Sequence, residues 1–347
     1  MRYKLLGRSG LRVSELCLGT MTFGESWGFG EGKDHSRKVF QAFVDAGGNF
    51  IDTANKYTEG ASEEFVGEFA EGQRGSLVLA TKYSLSTRPD DPNGQGNHRK
   101  NMMTAVEHSL KRMRTDYLDL YYVHAWDFMT PVDEVMRGLD DLVRSGKILY
   151  VGISDTPAWV VAQANTMAEL RGWSRFIGLQ IEYSLLERTV ERDLTPMARA
   201  LELGVLAWAP LGGGMLTGKY NAPKSLIHRM DSKRELMNAD RMTPQNLAVA
   251  AAVKKVAEEA GCSPSQVALA WLRAQPGQII PVVGARKEAQ IKDTLGCLNV
   301  TLSPEQLKTL DEVSRVPLGF PHAFLQADFI KQAIHGNTYD KIDNHRA

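Results

Sequence analysis

Three stretches of the sequence read NFIDTANKY at residues 49–57, LVLATK at residues 77–82 and LDLYYVH at residues 118–124. Each contains a short run of apolar residues, which is typical of a parallel strand that is buried on both faces. The runs lead to Asp52, Lys82 and His124, and Tyr57 follows Asp52 in a polar segment. Because parallel (β/α) proteins place their chemistry at the carboxyl ends of the strands, we expect these four side chains to form one site.

Strand-like runs alternate with amphipathic helical segments along most of the chain. The predicted strands cover residues 16–19, 49–53, 77–82, 117–124, 148–154, 178–183, 205–211 and 279–284. The predicted helices that follow them cover residues 36–46, 62–70, 102–113, 132–144, 158–170, 190–203, 247–260 and 288–295. Eight strand–helix units predict a closed parallel (β/α)8 barrel, the TIM-barrel fold, and a doubly wound open sheet is the alternative.

Further elements are predicted outside the eight units. Residues 3–5 and 11–13 flank the turn-forming sequence GRSG, which indicates an N-terminal β-hairpin. Two Ser-Pro pairs, each followed by Gln, predict extra helices over residues 264–274 and 304–314. Because the sequence shows no interdomain linker or internal repeat, we expect a single domain over residues 1–347.

Three segments are too long to be simple connections. They cover residues 84–100, 212–243 and 316–347. Structureless segments of this length in a compact domain are usually functional or disordered. The first two follow the third and seventh predicted strands, so we expect them to overhang the face that carries the ionisable side chains.

The composition and charge narrow the classes of partner and compartment. The chain has 347 residues, of which 43% are hydrophobic, and its 41 basic and 41 acidic side chains cancel. This balance argues against nucleic acid or an anionic membrane as partner and is compatible with self-association. Cys17, Cys262 and Cys297 show no disulfide or metal-ligand spacing. With no signal peptide or membrane span in the sequence, we expect a cytoplasmic protein that binds a small molecule.

Asp52, Tyr57, Lys82 and His124 together suit the reduction of a carbonyl group. A tyrosine titrates near pH ~10, and a neighbouring ammonium lowers its pKa. Lys82 can supply that charge, Asp52 can hold Lys82, and Tyr57 can then act as a general acid toward a carbonyl oxygen beside His124. A metal site is the alternative, but His124 and Asp52 have no further ligand pair nearby, so we expect no metal.

Over essentially its whole length the chain resembles the aldo-keto reductases, and within them the subgroup of bacterial general reductases and potassium-channel β-subunits. The matching stretches are RSGLRVSELCLGT at 8–20, NFIDTANKY at 49–57, LATK at 79–82, DYLDLYYVH at 116–124, GKILYVGISD at 146–155, GLQIEYSLLER at 178–188, LAWAPLGGGMLTGKY at 206–220 and IIPVVGARKEAQIKD at 279–293. The resemblance implies a (β/α)8 barrel, NADPH as cofactor, and a catalytic tetrad of Asp52, Tyr57, Lys82 and His124 in which Tyr57 is the proton donor.

The same resemblance implies a set of residues that bind the cofactor. They are Gly19, Thr20, Met21, Asp52, Ser154, Gln180, Trp208, Ala209, Pro210, Leu211, Gly212, Lys219, Gly284, Arg286, Gln290, Asp293 and Thr294. Ser154 and Gln180 would bind the carboxamide, and Trp208 would stack on the nicotinamide. Arg286 lies at the start of a predicted helix, where its charge suits the 2′-phosphate, so we expect NADPH in preference to NADH. Asp293 and Thr294 depart from the Glu and Asn of many relatives.

The substrate pocket is the least defined part of the prediction. Its expected walls are Phe23, Trp27, Tyr57, His124 and Trp126. We expect an aldehyde or ketone, including a sugar or another hydroxylated carbonyl, to be reduced reversibly to the alcohol. Two alternatives are a regulatory subunit that senses NADPH and turns over slowly, and a barrel enzyme without redox chemistry, such as a lyase or isomerase.

Overall fold

The computed structural model describes residues 1–219 and 239–343. Within these residues the barrel strands are β3 (Cys17–Gly19), β4 (Phe50–Asp52), β5 (Val78–Tyr83), β6 (Leu118–Val123), β7 (Ile148–Ser154), β8 (Phe176–Glu182), β9 (Gly204–Trp208) and β10 (Ile279–Val283). All neighbouring pairs are parallel, and β10 pairs with both β9 and β3, so the sheet closes. The predicted (β/α)8 barrel is confirmed, and closure rules out the open-sheet alternative.

Helices surround the barrel in the predicted order. They are α1 (Lys33–Asp45), α2 (Ala61–Phe69), α3 (Arg99–Arg112), α4 (Val132–Arg144), α5 (Ala158–Arg171), α6 (Leu194–Ala200), α7 (Pro244–Ala260) and α9 (Glu288–Leu295). The two extra helices are α8 (Pro264–Arg273) and α10 (Pro304–Ser314). Both begin with a serine that caps the helix, a proline at its first position and a glutamine that completes a capping box, as the sequence indicated.

The core has two parts. A large apolar cluster fills the space between the strands and the surrounding helices, and a smaller one fills the barrel interior, where Phe50, Leu120 and Leu206 are fully buried. The predicted hairpin, β1 (Tyr3–Leu5) paired with β2 (Arg12–Ser14), contributes Leu6 and Val13 to the interior cluster. The hairpin therefore closes one end of the barrel and leaves the carboxyl ends of the strands for a site.

Three local predictions differ from the structure. The helix predicted over residues 190–203 is a short 3-10 turn at Thr189–Glu191 followed by α6, because Pro196 has no amide hydrogen and cannot continue a helix from upstream. The strand predicted over residues 205–211 ends at Trp208, since Ala209 is left-handed at φ 48°. The last long segment contains two helices, α11 (His322–Leu325) and α12 (Asp328–His335).

The segment predicted over residues 212–243 to overhang the site is described only in part. Residues 220–238 lie outside the described residues. The part before them forms a 3-10 helix at Gly212–Thr217, and the part after them leads through Ala239–Arg241 into α7. Across residues 1–219 and 239–343, no helix has the length and hydrophobicity that a bilayer span requires.

Candidate active site

Four side chains predicted from the sequence meet at the carboxyl edge of the barrel. Lys82 of β5 donates from Nζ to Asp52 Oδ2 of β4 at 2.5 Å and to the Tyr57 hydroxyl at 3.3 Å. The Tyr57 ring stands edge-on to the His124 ring, with centroids 5.7 Å apart at an interplanar angle of 80°. Adjacent parallel strands bring Asp52 and Lys82 together, and the turn after β4 brings Tyr57 over them.

The ion pair between Lys82 and Asp52 is inaccessible to solvent. The two side chains are 0% and 2% exposed. Burial alone would lower the pKa of Lys82, but the Asp52 carboxylate at this distance raises it above the ordinary value, so Lys82 stays charged. A third contact, from Lys82 Nζ to the main-chain oxygen of Thr53 at 2.8 Å, leaves the ammonium with three acceptors.

The pKa of Tyr57 differs from the sequence-based expectation. Lys82 lowers the pKa of the phenol as expected, but desolvation is the larger effect, and the net result is a pKa above the ordinary value. Tyr57 therefore keeps its proton at neutral pH. Burial, with a smaller contribution from Lys82, lowers the pKa of His124 well below its ordinary value. His124 is therefore neutral and carries one N–H.

Gln180 makes a contact that the sequence did not indicate. Its amide Nε2 donates to Asp52 Oδ1 at 2.9 Å, and both side chains are buried. Asp52 is thus held on one oxygen by Lys82 and on the other by Gln180, which fixes the carboxylate. The contact joins β4 and β8 across the barrel, so only the closed sheet brings the two residues together.

The residues predicted at the end of β3 differ in accessibility. Thr20 is buried, and its hydroxyl donates to the main-chain oxygen of Asp52 at 2.9 Å. Gly19 is half-buried, and Met21 is 40% exposed. Thr20 therefore ties β3 to the Asp52 strand end, while Gly19 and Met21 face the accessible rim.

Ser154 and Trp208 stand at the ends of β7 and β9. Ser154 is 1% exposed, and its hydroxyl oxygen makes no hydrogen bond of normal geometry within the described residues, although its proximity to Asp155 lowers the pKa of that carboxyl group. Trp208 donates from its indole to Asp155 Oδ1 at 3.0 Å. Asp155 has a left-handed backbone at φ 42° and burial raises the pKa of its carboxyl group, features that the sequence analysis missed. No local pattern signals the burial of Asp155, because it arises from the packing of residues that are distant in the chain.

The segment after β9 is a tight turn that contains several left-handed residues. Ala209, Gly212, Gly213 and Gly214 all have positive φ, at 48°, 55°, 66° and 98°. The Gly212 and Gly214 amides donate to the Ala209 and Leu211 main-chain oxygens at 2.8 and 2.9 Å, and small side chains let a ligand approach the backbone. The remaining predicted residues here are buried Pro210, half-buried Leu211 and exposed Lys219, which lies beside Gly214.

The last βα unit carries five predicted residues, of which three make contacts within the protein. Gln290 Oε1 accepts from the main-chain nitrogen of Arg286 at 2.9 Å, and Asp293 accepts from the Ser263 hydroxyl at 3.0 Å. Thr294 is buried, Gly284 is exposed and Arg286 is half-buried at the start of α9. Gln290 and Asp293 therefore have structural roles here, and their part in binding a cofactor stays a prediction.

Comparison with known proteins identifies the family of this chain. A sequence model of the aldo/keto reductase family matches residues 15–315. The chain belongs to this family. An enzyme of the family is an oxidoreductase, and the barrel edge just described carries the buried Asp52, Lys82 and His124 of this aldo/keto reductase.

Individual relatives cover nearly the whole of this reductase. Norsolorinic acid reductase stcV of Emericella nidulans is 39% identical over 327 residues, which are 91% of this chain and 82% of the relative. An aryl-alcohol dehydrogenase [NADP(+)] of Phanerodontia chrysosporium is 39% identical over 351 residues, or 96% and 91% of the two chains. The putative aryl-alcohol dehydrogenase AAD14 of Saccharomyces cerevisiae is 34% identical over 343 residues, or 94% and 90%.

The predicted substrate-facing rings of this reductase do not all lie together. Trp27 is half-buried and stands edge-on to Tyr57, with ring centroids 6.1 Å apart. Trp126 is half-buried and follows His124 by two residues. Phe23, in contrast, is 1% exposed and packs against Phe69 of α2, so its ring belongs to the core.

Asn97 organises the chain around Trp126. Its side chain is fully buried, donates from Nδ2 to the Ala125 main-chain oxygen at 2.8 Å and accepts at Oδ1 from the Asp127 main-chain amide at 2.7 Å. The main-chain amide of Asn97 donates to the Asp127 carboxylate. The sequence predicts an overhanging loop over residues 84–100 but does not indicate these hydrogen bonds of Asn97. An asparagine in a polar loop gives no signal of burial, which arises only when the two loops meet.

Proposed function

We propose that this aldo/keto reductase uses NADPH to reduce an aldehyde or ketone to the alcohol, reversibly, with Tyr57 as proton donor. The observation that carries the proposal is the contact of the buried Lys82 ammonium with both Asp52 and the Tyr57 hydroxyl. A cation beside a protonated phenol makes loss of the proton easier as charge develops on a carbonyl oxygen. This arrangement has no evident structural need, because an apolar pair would fill the same space without a buried charge.

The proposed roles follow from the protonation states. Tyr57 donates its hydroxyl proton to the carbonyl oxygen, and Lys82 stabilises the phenolate that remains. Asp52, held by Gln180, keeps the ammonium in place. Neutral His124 offers its N–H to the same carbonyl oxygen and orients the substrate. A reduced nicotinamide, when bound, would supply a hydride to the carbonyl carbon, and this hydride with the proton from Tyr57 gives the alcohol.

Several residues fit a dinucleotide. The buried Ser154 hydroxyl makes no hydrogen bond of normal geometry within the described residues and suits an amide group, and the small residues of the left-handed turn from Ala209 to Gly214 let a phosphate approach the main chain. Arg286 lies two residues before Glu288, the first residue of α9, where its charge suits a 2′-phosphate and favours NADPH over NADH. The printed name of the Phanerodontia relative, which includes NADP(+), agrees with this choice.

We further propose aromatic carbonyl compounds as the favoured substrates, ahead of sugars. Trp27 stands beside Tyr57, the half-buried Trp126 follows His124 by two residues, and the exposed Phe128 and Met129 follow Trp126 in the chain. Such a surface suits flat apolar molecules better than polyols. The relatives named aryl-alcohol dehydrogenase point to the same class of substrate.

The test is oxidation of NADPH and NADH, followed by the absorbance of the reduced nicotinamide, with aromatic aldehydes, aliphatic aldehydes and keto sugars. We expect turnover with NADPH that is fastest for aromatic aldehydes. Tight NADPH binding without turnover of any carbonyl would favour the sensor subunit instead. Failure to bind either nucleotide would refute the proposal and point to a barrel enzyme without redox chemistry.

A further inference from the structure

The turn that follows Tyr57 has an unusual backbone. Thr58 and Glu59 are both left-handed, with φ and ψ of 47° and 39° and of 58° and 35°, and Gly60 continues at φ 97°. Left-handed backbone is unfavourable for residues with a Cβ, and two such residues in succession are rare outside sites where the surroundings impose the geometry. The contacts around this turn therefore indicate what the strain achieves.

Thr58 fixes the inner side of the turn. Its buried hydroxyl donates to the main-chain oxygen of Phe23 at 2.6 Å. A Cβ added to Gly24 would lie 2.6 Å from Thr58 Oγ1, so the approach of the two segments requires glycine at this position. The loop that begins here closes on itself through hydrogen bonds between Gly24 and Glu31 and between Glu31 and Thr22, each at 2.9 Å. Trp27 lies within this loop.

Glu59 fixes the outer side of the turn to that same loop. Its carboxylate accepts a hydrogen bond from Trp27 Nε1 at 3.1 Å and two from Lys56 Nζ at 2.9 and 2.8 Å. The Glu59 side chain is 53% exposed, and an exposed ion pair adds little to stability. What the carboxylate does contribute is geometry, because it holds the indole whose ring stands at 78° to the ring of Tyr57.

We propose that Glu59 is a specificity-determining positioning residue, which holds Trp27 as a fixed wall beside Tyr57 for flat, multi-ring carbonyl substrates. The inference rests on the proposed function and adds a residue that touches neither the substrate nor the cofactor. A small aldehyde needs the Tyr57 hydroxyl and His124 but not the wall. A two-ring aldehyde also needs the indole face, so its binding depends on Glu59.

The test compares 2-naphthaldehyde with propanal in steady-state reduction by NADPH. For Glu59→Ala we expect kcat/KM for 2-naphthaldehyde to fall about fivefold, mostly through KM, which is the effect of one lost hydrogen bond. Reduction of propanal should change less than about twofold. Glu59→Gln keeps an acceptor for the indole and should retain the wild-type ratio. Glu258→Gln on α7, which removes an exposed carboxylate paired with Lys254, is the matched control.

A double-mutant cycle with Trp27→Phe separates this role from a general structural one. In the Trp27→Phe background, Glu59→Ala should leave the ratio of the two substrates unchanged, because the partner of the carboxylate is gone. Equal losses for both aldehydes, or a ratio change that persists without Trp27, would overturn the inference while the wild-type activity upholds the proposed function. A wild-type protein that reduces neither aldehyde would overturn both.

Discussion

Removing the charge of Asp52 tests how strongly the site depends on its buried ion pair. In Asp52→Asn the Lys82 ammonium keeps the Thr53 oxygen and the Tyr57 hydroxyl as acceptors but loses the negative charge of the Asp52 carboxylate. Lys82 is 0% exposed, so water cannot replace the carboxylate. Leaving a buried charge without its partner costs about 3–5 kcal/mol. We therefore expect the free energy of unfolding at pH ~7 to fall by that amount.

The loss of stability in Asp52→Asn should depend on pH, because the change alters the pKa of Lys82. In the wild type the pKa of Lys82 is raised, so its stabilising contribution is complete below the ordinary lysine pKa and is lost as the pH rises through the raised value. In Asp52→Asn the carboxylate no longer offsets the effect of burial. The pKa of Lys82 in the folded variant therefore falls below its value in the unfolded chain. The unfolded chain then binds more protons, so the variant should gain stability as the pH rises toward ~10.

The assay is urea-induced unfolding at two pH values, about 7 and 9.5, chosen on either side of the expected shift. The double variant Asp52→Asn/Lys82→Met is the control, because it removes both charges and should recover most of the lost stability. The reasoning would be refuted if Asp52→Asn lowered the free energy of unfolding by less than ~1 kcal/mol at the lower pH, or by the same amount at both pH values. Either result would mean that solvent reaches Lys82.

Three further predictions concern the cofactor, the loops and the pH profile. Arg286→Ala should weaken NADPH binding at least about tenfold more than NADH binding, measured by fluorescence titration; equal losses would exclude a contact with the 2′-phosphate. Asn97→Ala should lower the free energy of unfolding by about 1–3 kcal/mol, because it leaves the Asp127 amide unpaired and leaves the Ala125 oxygen with only the Ser84 hydroxyl as donor; a urea midpoint equal to wild type would contradict this. A plot of reduction rate against pH should show no change of slope near pH ~6.5, because the pKa of His124 is well below that value. It should also show none up to pH ~10, because the pKa of Tyr57 is raised above its ordinary value. A profile with a break near neutrality would mean that another group titrates.

Local sequence patterns were sufficient for most of the fold. Continuous apolar runs identify the eight strands, and capping serines with prolines mark α8 and α10 closely, because these signals act within a few residues. The broken helix before α6 was predictable from Pro196 but was outweighed by the apolar pattern around it. The end of β9 was not, because the left-handed Ala209 belongs to a turn whose geometry the sequence does not reveal.

The candidate site was predictable to the extent that it lies at strand ends. The sequence brought Asp52, Lys82 and His124 to one edge of the barrel, and the structure confirms that they meet there. The direction of the Tyr57 pKa shift was wrong, because desolvation depends on packing that no motif encodes. The contact of Gln180 with Asp52 arises across the closed barrel and could not be inferred from either residue alone.

The most direct test of the account is to measure NADPH affinity and carbonyl reduction together in Tyr57→Phe. This change removes only the hydroxyl that Lys82 contacts at 3.3 Å and leaves the ring against Trp27 and His124. The account predicts NADPH affinity within about twofold of wild type and a loss of kcat of at least about a hundredfold, the usual contribution of a positioned general acid. Reduction at the wild-type rate would show that Tyr57 is not the proton donor and would contradict the proposed mechanism.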